Sequence, residues 1–236
     1  MCTFRTLMPQ YFQIIDIKNS EIMDGLEKAD ISFVPQLTDE YYRIIIVKLK
    51  PNAVLRTYDY TILYKYFSVM GEYFKANECC RGYILVNDFY DTSAFELIYK
   101  MSLIELQQYL PVLTEGYGLK IKGIYMVTSS KIIENFLSMF KGLFSTKIAG
   151  RIHAITSRKA LRDAINGDVL PKEYGGPEKS VAELNNAILE SFSTDTVKNI
   201  IAKMNMAVTD ESKRTTYEFN DQYMGMPGTF RNLSLD

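Results

Sequence analysis

The sequence predicts an α/β fold built on a mixed, mostly parallel sheet with helices packed against it. Short apolar runs rich in β-branched and aromatic residues alternate along the chain with segments of helical periodicity. The length of 236 residues suits one main domain with additional segments rather than two domains. Apolar residues make up 47% and charged residues 23%, which are ordinary values for a globular chain.

The first half of the chain contains two predicted strands. A short helix is expected over Ser20 to Ala29, and a buried strand over Tyr41 to Leu49. From Asp59 to Ala76, apolar and aromatic residues recur every three or four positions, which predicts a long amphipathic helix. Gly82 to Val86 is the second buried strand.

The second half continues the alternation. Ser102 and Glu105 have the spacing of a capping box, which predicts a helix that continues to about Leu113. Ser180 and Glu183 repeat this spacing before a helix that extends to about Ser191. The other predicted elements are a strand at Leu119 to Val127, a helix at Lys131 to Leu143, a strand at Arg151 to Thr156 and a helix at Arg158 to Asn166.

Charge and cysteine content exclude several classes of protein. The net charge of −1 gives no general attraction to nucleic acid, so we expect no nucleic-acid partner. Three cysteines without a CxxC pair predict neither a disulfide framework nor a zinc site. Because the sequence shows neither a secretory leader nor a long apolar span, we expect a cytoplasmic protein whose membrane contacts are peripheral and transient.

Catalytic motifs are scarce. The sole histidine, His153, lies in a predicted strand, and neither nucleotide-binding glycine motif is present, so we expect no enzyme, cofactor or metal. A hydrolase using Ser93 or another serine with His153 is the least favoured alternative. Asp88 and Asp91 follow a strand, where carboxylates often face a ligand, but a turn with side-chain hydrogen bonds is the favoured interpretation.

Basic residues flank an apolar helix between Leu119 and Ile155. Strand alternation places Lys120 and Lys122 on one face with Ile124 and Met126. The helix from Lys131 to Phe144 has one strongly apolar face, whose spacing alone favours packing on the sheet over a movable lid. The cations on both sides shift the interpretation toward a lid at a membrane, because each basic residue near an anionic leaflet contributes about 1 kcal/mol. The apolar positions are Ile132, Ile133, Phe136, Leu137, Phe140, Leu143 and Phe144, and the second basic pair is Lys147 and Arg151.

Several segments together resemble a CRAL-TRIO lipid-binding domain of the α-tocopherol transfer protein and cellular retinaldehyde-binding protein branch, over roughly residues 7 to 195. The most specific segment is LPKEYGG at Leu170 to Gly176, and the ending MPGTFRNLSLD is similar to that of many arthropod members. The other matching segments are LMPQYFQIIDIKN, YYRIIIVKL, RGYILVNDFYDTS, LKIKGIYMV, SMFKGLFSTKI and GRIHAI.

The resemblance implies a sheet whose concave face holds one hydrophobic ligand under a gate helix at Lys131 to Phe144. It divides the chain into a remnant of an N-terminal helical domain at residues 1–30, the lipid-binding domain at 31–195 and a C-terminal extension at 196–236. It implies a phosphoinositide-binding cluster of Lys120, Lys122, Lys147 and Arg151. The implied ligand-binding residues are Tyr83, Leu85, Asn87, Tyr109, Val112, Leu113, Ile124, Ile133, Phe136, Leu137 and Phe140.

By this resemblance, the chain is expected to bind and transfer a tocopherol, retinoid or carotenoid-like lipid as a monomer, with phosphoinositide-assisted docking and release at membranes. Phospholipid exchange or sensing remains an alternative, as does an interaction module that has lost carrier function. Two departures from the family are expected to matter. Only about 40 residues precede the first predicted strand, and Gly142 stands where relatives commonly have proline in the gate segment.

Overall fold

A five-stranded sheet forms the centre of the computed structural model, which describes residues 1–14, 17, 22–23, 26–51, 53, 59–93, 102–142, 144–165 and 167–213. The strands lie side by side in chain order. The first pair is antiparallel and the other three pairs are parallel, which confirms the mixed, mostly parallel sheet. The strands are β1 (Ala29–Phe33), β2 (Tyr42–Leu49), β3 (Gly82–Asp88), β4 (Ile121–Val127) and β5 (Ile152–Ile155).

Helices cover both faces of the sheet and account for most of the remaining described residues. They are α1 (Cys2–Leu7), α2 (Tyr60–Asn77), α3 (Leu103–Pro111), α4 (Lys131–Lys141), α5 (Thr146–Ala149), α6 (Arg158–Ala164), α7 (Val181–Phe192) and α8 (Asp195–Met206). A π-helical segment, Val112–Gly116, follows α3, and short 3₁₀ turns lie at Pro9–Tyr11, Gly167–Val169, Lys172–Tyr174 and Glu211–Lys213.

Helix caps account for several of these boundaries. Asp59 accepts a hydrogen bond from the Thr61 amide at 2.8 Å and so fixes the start of α2. Ser180 and Glu183 form the complete capping box predicted for α7. Ser102 accepts from the Glu105 amide at 3.3 Å, the first of the two bonds expected at the start of α3.

The beginning of the chain differs from the expectation. The helix predicted over residues 20–29 ends too late, because Ala29 already begins β1, which the sequence analysis did not predict. Of the residues in that predicted helix, 20–21 and 24–25 lie outside the described part of the chain. About 28 residues therefore precede the first strand rather than 40.

The two faces of the sheet contact different groups of apolar residues. In β2, Ile45 and Val47 belong to the larger core, whereas Ile44 and Ile46 belong to a second core on the opposite face. Burial on both faces explains why this strand is an almost uninterrupted apolar run instead of an alternating one. The second core includes Leu161 of α6 and Tyr174 of the LPKEYGG segment.

A buried carboxylate connects the LPKEYGG segment to the sheet. Asp88, the last residue of β3, accepts from the Tyr90 amide at 3.0 Å, which agrees with the predicted turn. Its other oxygen accepts from Arg158 Nε at 2.9 Å and from the Tyr174 hydroxyl at 3.0 Å. Burial and the neighbouring Asp88 carboxylate raise the pKa of Tyr174, so its hydroxyl stays protonated and donates.

Within the LPKEYGG segment, the backbone at Gly176 packs closely against the backbone at Leu170. A Cβ atom at Gly176 would lie 1.8 Å from the carbonyl oxygen of Leu170, so only glycine fits there. This packing and the Tyr174 bond together hold the segment against the second core.

Candidate functional site

An apolar cavity of about 180 Å³ lies between the sheet and the helices α2, α3 and α4. It is larger than the roughly 150 Å³ cavity that binds benzene in an engineered protein, and smaller than the roughly 300–1,000 Å³ of pockets for drug-sized ligands. Its walls hold no Asp, Glu, Lys, Arg, His or Cys among the described residues. The cavity therefore suits a hydrophobic molecule, and its ionisable side chains among the described residues are tyrosines.

Most of the residues implied for ligand binding lie on this cavity. Val112 is an exception: it is buried in the core but does not line the cavity. The cavity-facing positions of this segment follow the α-helical spacing 106, 109, 110 and 113, and Val112 falls outside that row. The side chain of Phe140 lies outside the described part of the structure. The implied residues that line the cavity are Tyr83, Leu85, Asn87, Tyr109, Leu113, Ile124, Ile133, Phe136 and Leu137.

Helix α2 supplies a wall that the sequence analysis did not assign. Leu63, Phe67, Met70 and Phe74 recur at spacings of four and three and all line the cavity. The periodicity of this apolar face was visible in the sequence, but it did not distinguish packing on the sheet from lining a space above it.

The polar groups on the cavity wall differ in whether they already form hydrogen bonds with other groups of the protein. The Tyr109 hydroxyl donates to the Tyr64 carbonyl oxygen at 2.8 Å and lies 3.1 Å from the Ser68 hydroxyl. Burial raises the pKa of Tyr60 to about 12, so that phenol is neutral at physiological pH. The side-chain amide of Asn87 is half-buried and makes no hydrogen bond within the described part of the chain. Asn87 therefore offers the cavity a donor and an acceptor.

Helix α4, the helix predicted to act as a gate, is apolar on its inner side. Ile133 and Leu137 are buried and Phe136 is half-buried, and all three line the cavity. Ile132 was predicted to belong to this face, but its side chain is 64% exposed. Met139 is 65% exposed. These two residues are seven apart and lie on the solvent side of the helix.

The end of the gate segment is partly described. Helix α4 ends at Lys141, and the amide of Gly142 donates to the Met139 carbonyl oxygen at 3.2 Å. The predicted apolar position Leu143 lies outside the described residues, whereas Phe144 lines the cavity. Helix α4 is therefore shorter than the predicted helix, although Phe144 beyond its end still lines the cavity.

A second depression, here called the basic groove, collects all four predicted cations. Lys120, Lys122 and Lys147 are exposed and Arg151 is half-buried. One guanidinium nitrogen of Arg151 donates to the Ile121 carbonyl oxygen, which orients the side chain. The groove is lined by Tyr42, Arg81, Thr114, Gly118, Leu119, Lys120, Ile121, Lys122, Ser145, Lys147, Ile148 and Arg151.

Arg81 is a fifth cation of the groove, which the sequence analysis missed. It directly precedes β3, as Lys120 precedes β4 and Arg151 precedes β5. The amino ends of neighbouring parallel strands meet at one edge of a sheet, so these positions come together. The predicted strands, which began at Gly82, Leu119 and Arg151, already placed these cations near three strand starts.

The predicted alternation along β4 is wrong at Lys122. The pairing of β3 with β4 shifts register between Tyr83 and Ile84, so Lys122 is an additional residue and the alternation changes phase. Ile121, rather than Lys122, faces the cavity with Ile124 and Met126.

Lys122 instead reaches across β3 to the start of β2. Its ammonium lies 5.2 Å from the ring centroid of Tyr42 and 3.2 Å from a carboxylate oxygen of Glu40. The guanidinium carbon of Arg81 lies 5.6 Å from the same Tyr42 ring. One aromatic ring therefore positions two cations of the basic groove.

The cavity and the basic groove share part of their walls. Leu119, Ile121 and Ile148 line both. Ile148 belongs to the short helix α5, beside Lys147. A displacement of α5 therefore changes both spaces at once.

His153 and the possible metal ligands were the other candidates from the sequence. His153 lies in β5 as predicted but is exposed, and its ring stacks on Tyr125 with centroids 5.2 Å apart. Across the described ranges, no cluster of three or more His, Cys, Asp or Glu side chains is placed to hold a metal ion. No described helix combines the length and apolarity required to span a bilayer.

Comparisons with known proteins agree with this architecture. Residues 27–176, more than half of the chain, match the family model described as the CRAL/TRIO domain. The fold is similar to that in the crystal structure of Sfh5, with a TM-score of 0.56 and 12% sequence identity. That similarity covers 86% of this chain and 72% of the Sfh5 chain.

Proposed function

Because this chain belongs to the CRAL/TRIO domain family, whose members bind and transfer lipids, we propose that it carries one small hydrophobic ligand between membranes. The ligand class that the cavity suits best is a tocopherol, retinoid or carotenoid-like molecule. The half-buried Asn87 amide favours a ligand with one hydroxyl or carbonyl group over a phospholipid. The carrier acts in the cytoplasm as a monomer and docks on membranes transiently.

The observation that carries this proposal is the shared wall between an apolar cavity and a cationic groove. A hydrocarbon chain of about 15 methylenes loses roughly 12 kcal/mol of favourable burial when it enters water, at about 0.8 kcal/mol per methylene. Spontaneous exchange between membranes is therefore slow. A carrier needs a closed apolar space that opens only at a bilayer.

Binding of a headgroup in the basic groove opens the cavity. A phosphoinositide headgroup bound by Lys120, Lys122, Lys147 and Arg151 displaces α5, which carries Ile148 of the shared wall. Because the closed cavity is smaller than the usual ligand pocket, a whole lipid enters only when α4 and its apolar inner side move outward. Headgroup binding and gate opening are thereby coupled.

Catalysis is not part of the proposal. The described cavity walls have no ionisable group other than tyrosine, and burial raises the pKa of Tyr83 and Tyr109. These phenols stay neutral and do not act as bases near neutral pH.

Charge reversal in the groove tests the function. We expect wild-type protein to transfer fluorescent tocopherol faster to liposomes that contain phosphoinositide than to neutral liposomes. The double variant Lys120→Glu/Lys122→Glu should lose this acceleration, whereas Lys203→Glu on the exposed side of α8 should keep it. Equal acceleration in the double variant would rule out coupling through the groove.

A further inference from the structure

Tyr41 combines an unusual backbone conformation with high exposure. Its φ angle is +65°, and no other non-glycine residue in the described ranges has a positive φ. For a bulky side chain this conformation is a genuine outlier. The side chain is nevertheless 68% exposed, so it contributes little to the core.

Backbone hydrogen bonds around the turn hold Tyr41 in place. The Tyr41 amide donates to the Thr38 carbonyl oxygen at 2.7 Å, and the Arg81 amide donates to the Tyr41 carbonyl oxygen at 2.8 Å. The next amide, that of Tyr42, donates to the Thr38 hydroxyl at 3.0 Å. None of these bonds uses the Tyr41 side chain, and glycine would adopt the same φ without strain. The geometry of the turn therefore does not explain why a tyrosine side chain occupies this position.

The neighbours of Tyr41 belong to the rim of the basic groove. Glu40 pairs with Lys122, and the Tyr42 ring contacts both Lys122 and Arg81. The Tyr41 backbone is therefore held next to Arg81 and Tyr42, two residues that line the groove with its five cations, and its side chain is exposed there. An anionic bilayer surface is complementary to this combination, because it attracts the cations and receives an amphipathic ring at the level of its headgroups.

We propose that Tyr41 is an interfacial anchor, which inserts between lipid headgroups when the basic groove docks on an anionic bilayer. The anchor rests on the membrane docking proposed above. It adds a residue that contacts the lipid surface itself rather than a single headgroup. The hydrogen-bonded turn fixes the Tyr41 backbone before docking, so little backbone freedom is lost when the ring inserts.

Tryptophan fluorescence gives a direct test, because the sequence contains no tryptophan. In Tyr41→Trp, the sole indole should shift to shorter wavelength on phosphoinositide-containing phosphatidylcholine vesicles, and brominated lipids should quench it. Tyr90→Trp is the matched control, because Tyr90 is 39% exposed and follows β3 at the opposite edge of the sheet. Its emission should not be quenched. A soluble inositol phosphate should leave the Tyr41→Trp emission unchanged, since it fills the groove without supplying a bilayer.

A glycine variant separates anchoring from folding. Tyr41→Gly should melt at the same temperature as wild type or higher, yet sediment several-fold less with the anionic vesicles. Unchanged sedimentation of Tyr41→Gly would overturn the anchor. The anchor would also be wrong if Tyr41→Trp sediments with the vesicles, bound by Lys120 and Lys122, while brominated lipids leave its indole unquenched. If wild-type protein does not sediment with the vesicles at all, the docking proposal fails and the anchor fails with it.

Discussion

The hydroxyl group of Tyr174 lies 3.0 Å from Oδ2 of Asp88, a contact that joins the LPKEYGG segment to the end of β3. The Asp88 side chain is fully buried, and Arg158 Nε lies 2.9 Å from the same oxygen. A buried carboxylate is tolerated only when it is paired and hydrogen-bonded. This cluster therefore fixes the end of β3 at the edge of the sheet opposite the basic groove.

Removal of the countercharge should destabilise the fold. Arg158→Ala leaves the Asp88 carboxylate buried without a cation, and we expect a loss of about 3 kcal/mol in the free energy of unfolding. Tyr174→Phe removes a single hydrogen bond and should cost about 1 kcal/mol. Urea unfolding measures both, with Lys203→Ala as an exposed control. A loss below about 0.5 kcal/mol for Arg158→Ala would show that the cluster does not hold the edge.

The protein should lose stability in acid through protonation of Glu183. A hydrogen bond and charge from Lys172, at 2.8 Å, together with hydrogen bonds from Ser180, lower the pKa of Glu183 to about 2. The carboxylate form is thus favoured in the folded state. Its contribution is fully present above the ordinary pKa of 4.5 and is lost as the pH falls from 4.5 toward 2. Thermal midpoints of wild type and Glu183→Gln should differ at pH 7 and converge below pH 4. A constant difference down to pH 3 would contradict this assignment.

Asn87 should determine preference for ligands that carry a hydroxyl group. In Asn87→Leu the cavity keeps its size but loses the free amide, so retinol should bind about tenfold more weakly, equivalent to about 1.4 kcal/mol. The deoxy hydrocarbon analogue should bind no more weakly than to wild type. Fluorescence titration measures both affinities. Ile124→Leu changes an apolar wall only and should alter both ligands alike. Equal weakening of the two ligands by Asn87→Leu would show that the amide makes no specific contact.

Long apolar patterns made much of the fold predictable. The β2 segment and the α2 periodicity were recognised because burial of many residues leaves a repeated signal. The five residues of β1 include the polar Asp30 and Ser32, so this strand has no apolar run. Helix α8 buries Val197, Ile201 and Met204 at helical spacing, yet it follows a polar break and was assigned to a C-terminal extension.

The site was predictable where chain order alone brings residues together. Cations before β4 and β5 were found, whereas Arg81 before β3 required attention to which strand ends share an edge. The extra residue at Lys122 could not be foreseen, because a bulge depends on the pairing of two strands rather than on either sequence.

Gly142 should control how readily the gate segment moves. Its φ is outside the left-handed range, and an added Cβ would meet the Met139 carbonyl oxygen at an ordinary 3.4 Å. Gly142→Ala should therefore stabilise the protein by about 0.4–1 kcal/mol, because alanine restricts the unfolded chain. A stiffer end of α4 should also slow ligand transfer. Gly118 provides the contrast, since its φ of +69° makes alanine strained even though nothing lies within 4 Å of the added atom. Gly118→Ala should lower stability by about 1 kcal/mol. Thermal midpoints and transfer rates to phosphoinositide-containing liposomes measure these effects. If Gly142→Ala is more stable than wild type but transfers ligand at the same rate, the end of α4 is not the hinge of the gate.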